Sequence, residues 1–214
     1  MFLATPDSTV SHKRIVAKRS LSMKKKQKLV YLVMCALFAA LIVVMTFTPY
    51  LGYITVGVIE ITTLHIVVIF ASTVLGFKYG AIIGGVWGLT CIIRALQMGF
   101  IPFQNPMVSL VPRIIVGLMA GLVFFLLSKT KCPKAISLGV SAFIGTLTNT
   151  VLVLSMLKVF GGFEVLFGEA AKTIDAIIAT LIGTNGIIEM VAAVVLVPIL
   201  YTATEKHFKK ALSK

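Results

Sequence analysis

Two ionisable residues stand inside long apolar runs, and a charge there needs a reason. Arg113 directly follows Pro112 within the run 110–127, and Glu189 lies deep in the run 174–201. At the centre of a helix in hydrocarbon, either charge costs about 2.5–3.5 kcal/mol on insertion scales. Glu189 comes four residues after Asn185, so the two share a helical face. Gly183 and Gly186 leave room beside Asn185 for a ligand or a neighbouring backbone. The chemistry on offer is recognition. A guanidinium presents a planar, two-pronged donor to a carboxylate, while Asn and Glu take hydroxyl and amide groups. The competing reading is an Arg113–Glu189 ion pair that only ties two helices together. A ligand that uses one end of such a pair satisfies both readings.

Other polar residues are arranged around this pair. Arg94 and Asn105 flank the loop 94–106. Arg94 suits either an anionic ligand or the anchoring of a helix end at lipid headgroups, and Asn105, before Pro106, suits either a pocket or a turn. Asn149, with Thr146 and Thr150, makes a polar stretch midway along 135–157, fit for a pocket wall or for hydrogen bonds between helices. His65 is a ligand contact or a packing histidine. Trp87, the single tryptophan, lines a pocket or anchors at the lipid interface. Glu60 and the segment 50–53 are candidates for a lid. Enzymatic signatures are missing: the chain has no G-x-x-x-x-G-K-[ST], H-E-x-x-H or G-x-S-x-G motif and no paired aspartates. Cys35, Cys91 and Cys132 have neither metal nor redox spacing. No cofactor and no metal are expected.

The elements that must carry these residues follow from composition. Hydrophobic residues make up 58% of the 214 and charged residues 13%, too little polar surface to cover a soluble globule. The apolar residues fall into runs near the roughly 20 residues that cross a bilayer as a helix. The expected fold is an all-α integral membrane protein with six transmembrane helices over about 29–47, 61–75, 80–93, 107–127, 135–157 and 174–201. Pro49 ends the first, the Gly-rich, β-branched segment 50–60 reads as an ordered loop or short extended turn, and 76–80 reads as a tight turn. Residues 1–22 are polar and irregular and read as a disordered N-terminal extension or an over-long start. Met23 stands directly before Lys24, Lys25 and Lys26, and 23–214 forms the membrane domain.

The formal net charge of +13 sits at the ends of these spans. Lys24, Lys25, Lys26 and Lys28 precede the first, Lys78 lies between the second and third, Lys129, Lys131 and Lys134 share one loop, and Lys206, Lys209, Lys210 and Lys214 close the chain. Both termini are therefore expected in the cytoplasm. A nucleic-acid partner is not expected, because no soluble basic segment interleaved with aromatics exists.

Small residues recur at four-residue spacing: Gly80, Gly84 and Gly88; Gly117 and Gly121; Ala36 and Ala40. Each set makes a stripe along which another backbone can approach. The glycine stripes read as packing within the bundle. The Ala36/Ala40 stripe lies on the first span, after a basic N-terminus and before an ordered loop. With six spans in this length, that pattern resembles the substrate-binding S component of energy-coupling-factor (ECF) vitamin transporters over nearly the whole chain from Lys24. Pro49-Tyr50-Leu51-Gly52-Tyr53-Ile54, Thr62-Thr63-Leu64-His65-Ile66 and Val111-Pro112-Arg113 look most like the pantothenate-specific members.

The resemblance implies a non-enzymatic, substrate-capturing subunit in a bacterial-type plasma membrane. It implies a water-soluble vitamin as ligand and a loop that closes over it. It also implies that Ala36 and Ala40 dock on a transmembrane T component, and that two ATPase subunits supply the energy. Arg113, Glu189, Asn185 and Asn149 are then the leading pocket residues, with Arg94, Asn105, His65 and Trp87 beside them. The alternatives are an S component for another vitamin (folate, niacin or pyridoxine type), a self-sufficient carrier, for which no internal repeat is visible, and a membrane-embedded enzyme, whose clustered acids are missing among seven scattered ones.

Overall fold

Backbone N–H and C=O groups find no water in hydrocarbon, so an apolar run of crossing length closes its hydrogen bonds internally and becomes a helix. The computed structural model describes residues 8–56, 59–168 and 186–212, and within these five helices are long and apolar enough to cross a membrane. They are α1 (Ser8–Phe47), α3 (Phe77–Met98), α5 (Pro106–Ser128), α6 (Lys134–Val159) and α8 (Ile187–Leu212). Between them lie β1 (Tyr53–Val56), β2 (Ile59–Thr62) and the shorter helices α2 (Leu64–Leu75), α4 (Ile101–Gln104) and α7 (Gly162–Phe167). α1 reaches back through much of the polar segment expected to be irregular. Its sequence from Ser8 to Lys28 contains neither Gly nor Pro, and Lys, Arg and Ala are good helix formers.

The segment after α1 is a hairpin rather than a loop. β1 and β2 pair antiparallel, with Tyr53 opposite Thr62 and Thr55 opposite Glu60. Ile61 and Thr62, expected to open the second span, belong to this hairpin, and the helix begins at Leu64. The hairpin base is fastened by Thr63 N donating to the Gly52 carbonyl at 3.0 Å and Thr63 Oγ1 to the Leu51 carbonyl at 2.6 Å. α2 has only 12 residues, roughly 18 Å at 1.5 Å per residue, short of a hydrocarbon core of about 30 Å. Such a short helix survives because protein encloses it: every residue except Val67 and Val74 is buried. The hairpin leads directly into the N-terminal end of α2.

Two further boundaries differ from expectation. The turn expected over 76–80 is the single residue Gly76, whose φ of 93° suits glycine, so α3 starts at Phe77 and runs five residues beyond the expected end at 93. α8 continues to Leu212, which places Pro198 mid-helix. Asn185 and Gly183 and the first part of the expected sixth span lie outside the described residues.

α3 and α5 cross so closely that their glycines are obligatory. A Cβ on Gly80 would stand 2.6 Å from the Gly117 carbonyl oxygen, one on Gly88 2.7 Å from Leu110 Cα, and one on Gly121 2.6 Å from Phe77 Cα. A Cβ on Gly84 would meet the carbonyl oxygen of Arg113 itself. The pairs 77/121, 80/117, 84/113 and 88/110 run antiparallel along one seam, which is the packing expected of the two stripes. One apolar cluster gathers Phe38 and Ile42 of α1, Leu64 and Val68 of α2, and Ile83 and Trp87 of α3. A second joins Ile69 of α2 with Val116 and Ala120 of α5, Ala142 of α6, and Ala193 and Val197 of α8. Outward faces are apolar too, with Leu32, Leu37, Ile82, Val151 and Val191 exposed, as lipid contact requires.

Candidate functional site

The hairpin, the C-terminal end of α3 and the N-terminal ends of α2, α5 and α8 meet at one end of the helices, together with the last turns of α6. The hairpin is held there by two carboxylates. Glu60 accepts from Arg94 Nη1 at 3.0 Å and Nη2 at 2.6 Å, which ties β2 to α3. Glu189 Oε1 accepts from the backbone N–H of Thr62 at 2.6 Å, which ties the other end of β2 to α8.

Tyr53 is the centre of this end. The Arg94 guanidinium lies 4.0 Å over its ring, its hydroxyl is 2.9 Å from Cys91 Sγ, and Trp87 Nε1 donates to that hydroxyl at 3.4 Å. Burial, followed by the neighbouring Cys91, pushes the Tyr53 hydroxyl above the usual phenol range, so it remains a neutral donor and acceptor. Trp87 is fully buried, which removes it from the lipid interface. Its ring carries the Arg113 guanidinium 5.2 Å from the centroid. Glu60, Arg94, Tyr53, Trp87 and Arg113 thus form one continuous run of charge and aromatic contacts from the hairpin into the bundle.

Arg113 is placed by its neighbour. Pro112 has no N–H, so the carbonyl four residues back, on Val108, loses its helical donor. Arg113 Nη1 donates to that carbonyl at 2.7 Å. Its Nε is buried and has no hydrogen-bond partner among the described residues. Arg113 and Glu189 do not form the direct ion pair that was one expectation, since each is held by a different backbone group.

Three more buried side chains present polar atoms without partners among the described residues: both ring nitrogens of His65, Oγ1 of Thr146 and Oδ1 of Asn149. His65 is fully buried one turn into α2 from Thr62. Thr146 and Asn149 lie three residues apart on the buried face of α6. Leaving such a group unsatisfied costs about 1–3 kcal/mol, so each is a position where a polar solute within reach gains a hydrogen bond. Asn105 serves its own helix instead and caps α5, accepting from Met107 N at 3.0 Å. Ala36 and Ala40 are elsewhere, on the exposed face of α1 with Val33 and Leu37.

Of the expected site residues, the structure brings Arg113, Trp87 and Arg94 into one connected run, and seats Glu189 beside His65 at the hairpin's second strand. Asn185 lies outside the described residues. Tyr53 and Thr62, the hubs of the arrangement, were not singled out individually. The available signal was the β-branched pattern of Tyr53-Ile54-Thr55-Val56 and Ile59-Glu60-Ile61-Thr62, which is that of a hairpin.

The chain is similar to two proteins of known role. It is 32% identical over 181 residues to the pantothenate transporter PanT of Leuconostoc mesenteroides subsp. mesenteroides, an alignment covering 78% of this chain and 88% of that one. It is 29% identical over 202 residues to the pantothenic acid transporter PanT of Lactococcus lactis subsp. cremoris, covering 86% of this chain and 97% of that one. The family model of the ECF transporter substrate-specific component matches residues 30–201, a stretch that runs from α1 through the hairpin and its two carboxylate anchors into α8. This multi-pass bacterial membrane protein therefore belongs to the ECF transporter substrate-specific component family.

Proposed function

We propose that this substrate-specific subunit captures pantothenate from outside the cell, at the hairpin end of the helices. The single observation that carries the reading is the presence of unpartnered buried polar atoms on His65, Arg113, Thr146 and Asn149, in a chain whose relatives are named pantothenate transporters. Pantothenate offers a carboxylate, an amide and a pair of hydroxyls. Arg113 clamps the carboxylate, and Asn149, His65 and Glu189 take the hydroxyls and the amide. The hairpin, held by Arg94 and Glu189, is the lid. Six spans put both termini in the cytoplasm with the basic loops. The exposed Ala36/Ala40 stripe docks on a transmembrane T component, and two ATPase subunits drive release. The substrate passes through chemically unchanged.

The single tryptophan, Trp87, lies against Arg113 and reports on the site. Titrating the purified chain with pantothenate should change its emission saturably, and folate, niacin and pyridoxine should neither reproduce nor compete with the change. A response to one of those vitamins in place of pantothenate would reassign the substrate. No response and no thermal protection by pantothenate would reject the reading.

A further inference from the structure

At the opposite end of the helices, where α1 enters its apolar stretch, a shallow open cavity of about 360 Å³ lies between α1, the end of α2 and α3, lined by Gln27, Lys28, Tyr31, Leu75 and Tyr79. Tyr31 and Tyr79 stack directly on each other in its wall, with ring centroids 5.2 Å apart. Each tyrosine has an exposed lysine close in sequence, Lys28 on α1 and Lys78 on α3. One turn deeper on each helix comes an exposed aliphatic residue, Leu32 after Lys28 and Ile82 after Lys78, at 64% and 56% exposure. Cation, tyrosine and aliphatic side chain therefore succeed one another along both helices beside it, in the order of phosphate, glycerol backbone and acyl chain in a lipid leaflet.

We propose that this cavity binds the headgroup phosphate of an anionic phospholipid, whose acyl chains run along Leu32 and Ile82. Lys28 supplies the charge, and the Tyr31 and Tyr79 hydroxyls and the Gln27 amide supply donors. The exposed Leu32 and Ile82 one turn beyond favour a lipid over a free phosphate, which would use the polar side chains alone. The site is remote from the hairpin end and does not depend on the substrate assigned there.

Native mass spectrometry of the full chain in detergent tests this, titrated separately with phosphatidylglycerol and phosphatidylcholine. Wild type should retain phosphatidylglycerol about fivefold more strongly than Lys28→Gln, the effect of one surface lysine on an anionic lipid. Tyr79→Phe should weaken retention, and Lys131→Gln, at an exposed lysine of the same end but outside the cavity, should not. Lys28 is exposed, so Lys28→Gln should melt with wild type, and a melt that matches validates the comparison. Equal retention by Lys28→Gln would overturn the proposal. So would an equal loss in Lys131→Gln, which is general surface attraction, equal retention of phosphatidylcholine, or displacement of the lipid by equimolar glycerol phosphate.

Discussion

Arg113 donates to the carbonyl of Val108 at 2.7 Å, the carbonyl that Pro112 deprives of its helical donor. A proline that would leave a buried acceptor unsatisfied is thus paired with the next side chain in sequence. The bond holds the guanidinium inside the bundle against Trp87, with Nε still unpartnered among the described residues. One residue therefore serves both the helix and the binding site, and the two roles can be separated.

Arg113→Ala should lose both. The orphaned Val108 carbonyl costs about 1–3 kcal/mol of stability, and loss of the charged donors should weaken pantothenate binding by about tenfold or more. The double variant Pro112→Ala/Arg113→Ala restores the backbone N–H that Val108 lacks. Its melting temperature should return most of the way to wild type while binding stays lost. Thermal unfolding and Trp87 emission on the three proteins check this, and recovered binding in the double variant would reduce Arg113 to a helix repair.

The hairpin should answer to Glu60 separately from the rest of the fold. The Glu60–Arg94 pair is bidentate but partly exposed, at 30% and 13% of the side chains, so solvent screening limits it to about 1 kcal/mol or less. Glu60→Gln should leave the melting temperature within a few degrees of wild type and speed amide exchange over 53–62 by about fivefold. Exchange measured by mass spectrometry decides it. An unchanged rate in the hairpin would show that the strand pair is fastened without Glu60.

What the sequence disclosed and what it hid divide along a physical line. The Gly80/Gly84/Gly88 stripe was legible because close approach depends on a missing Cβ, which residue type states directly. Arg113 and Glu189 were legible as interior charges because hydrocarbon penalises them whatever their partners. Their partners were not legible. Glu189 bonds a backbone N–H at Thr62, 127 residues away, and nothing local to either residue encodes that meeting. The short α2 was misjudged at its start because Ile61 and Thr62 are as apolar or β-branched as the helix after them. Only pairing with Tyr53 and Ile54 decides that they are strand.

The α3–α5 seam allows a contrast within a single helical turn. A Cβ at Gly84 meets the carbonyl oxygen of Arg113, a backbone atom that cannot step aside, whereas one at Gly85 meets only the Ile114 side chain, at 3.6 Å. Gly84→Val should destabilise by about 1–3 kcal/mol through overpacking and displace Arg113 along with the backbone. Gly85→Ala should be neutral or stabilise by up to about 1 kcal/mol through helix propensity. Unfolding in detergent for both variants checks the pair, and equal effects would mean that the helices do not cross at Gly84.

His65 sets stability against binding most directly. It is fully buried beside the backbone of Thr62 and Glu189, and neither ring nitrogen makes a well-aligned hydrogen bond among the described residues, which is an expensive way to fill a packing site. His65→Leu keeps an apolar body of similar size on α2 and removes the two polar atoms, so the ligand-free protein should gain about 1 kcal/mol or more. If those nitrogens serve the substrate, the same change should shrink the rise in melting temperature that saturating pantothenate produces, because stabilisation by a ligand tracks its affinity for the folded state. A purely structural histidine would move the first quantity and leave the second alone. Melting curves of wild type and His65→Leu, each with and without pantothenate, separate the cases. A variant that is more stable yet fully protected by pantothenate would exclude His65 from the binding site, and with it one of the four unpartnered side chains on which the site is built.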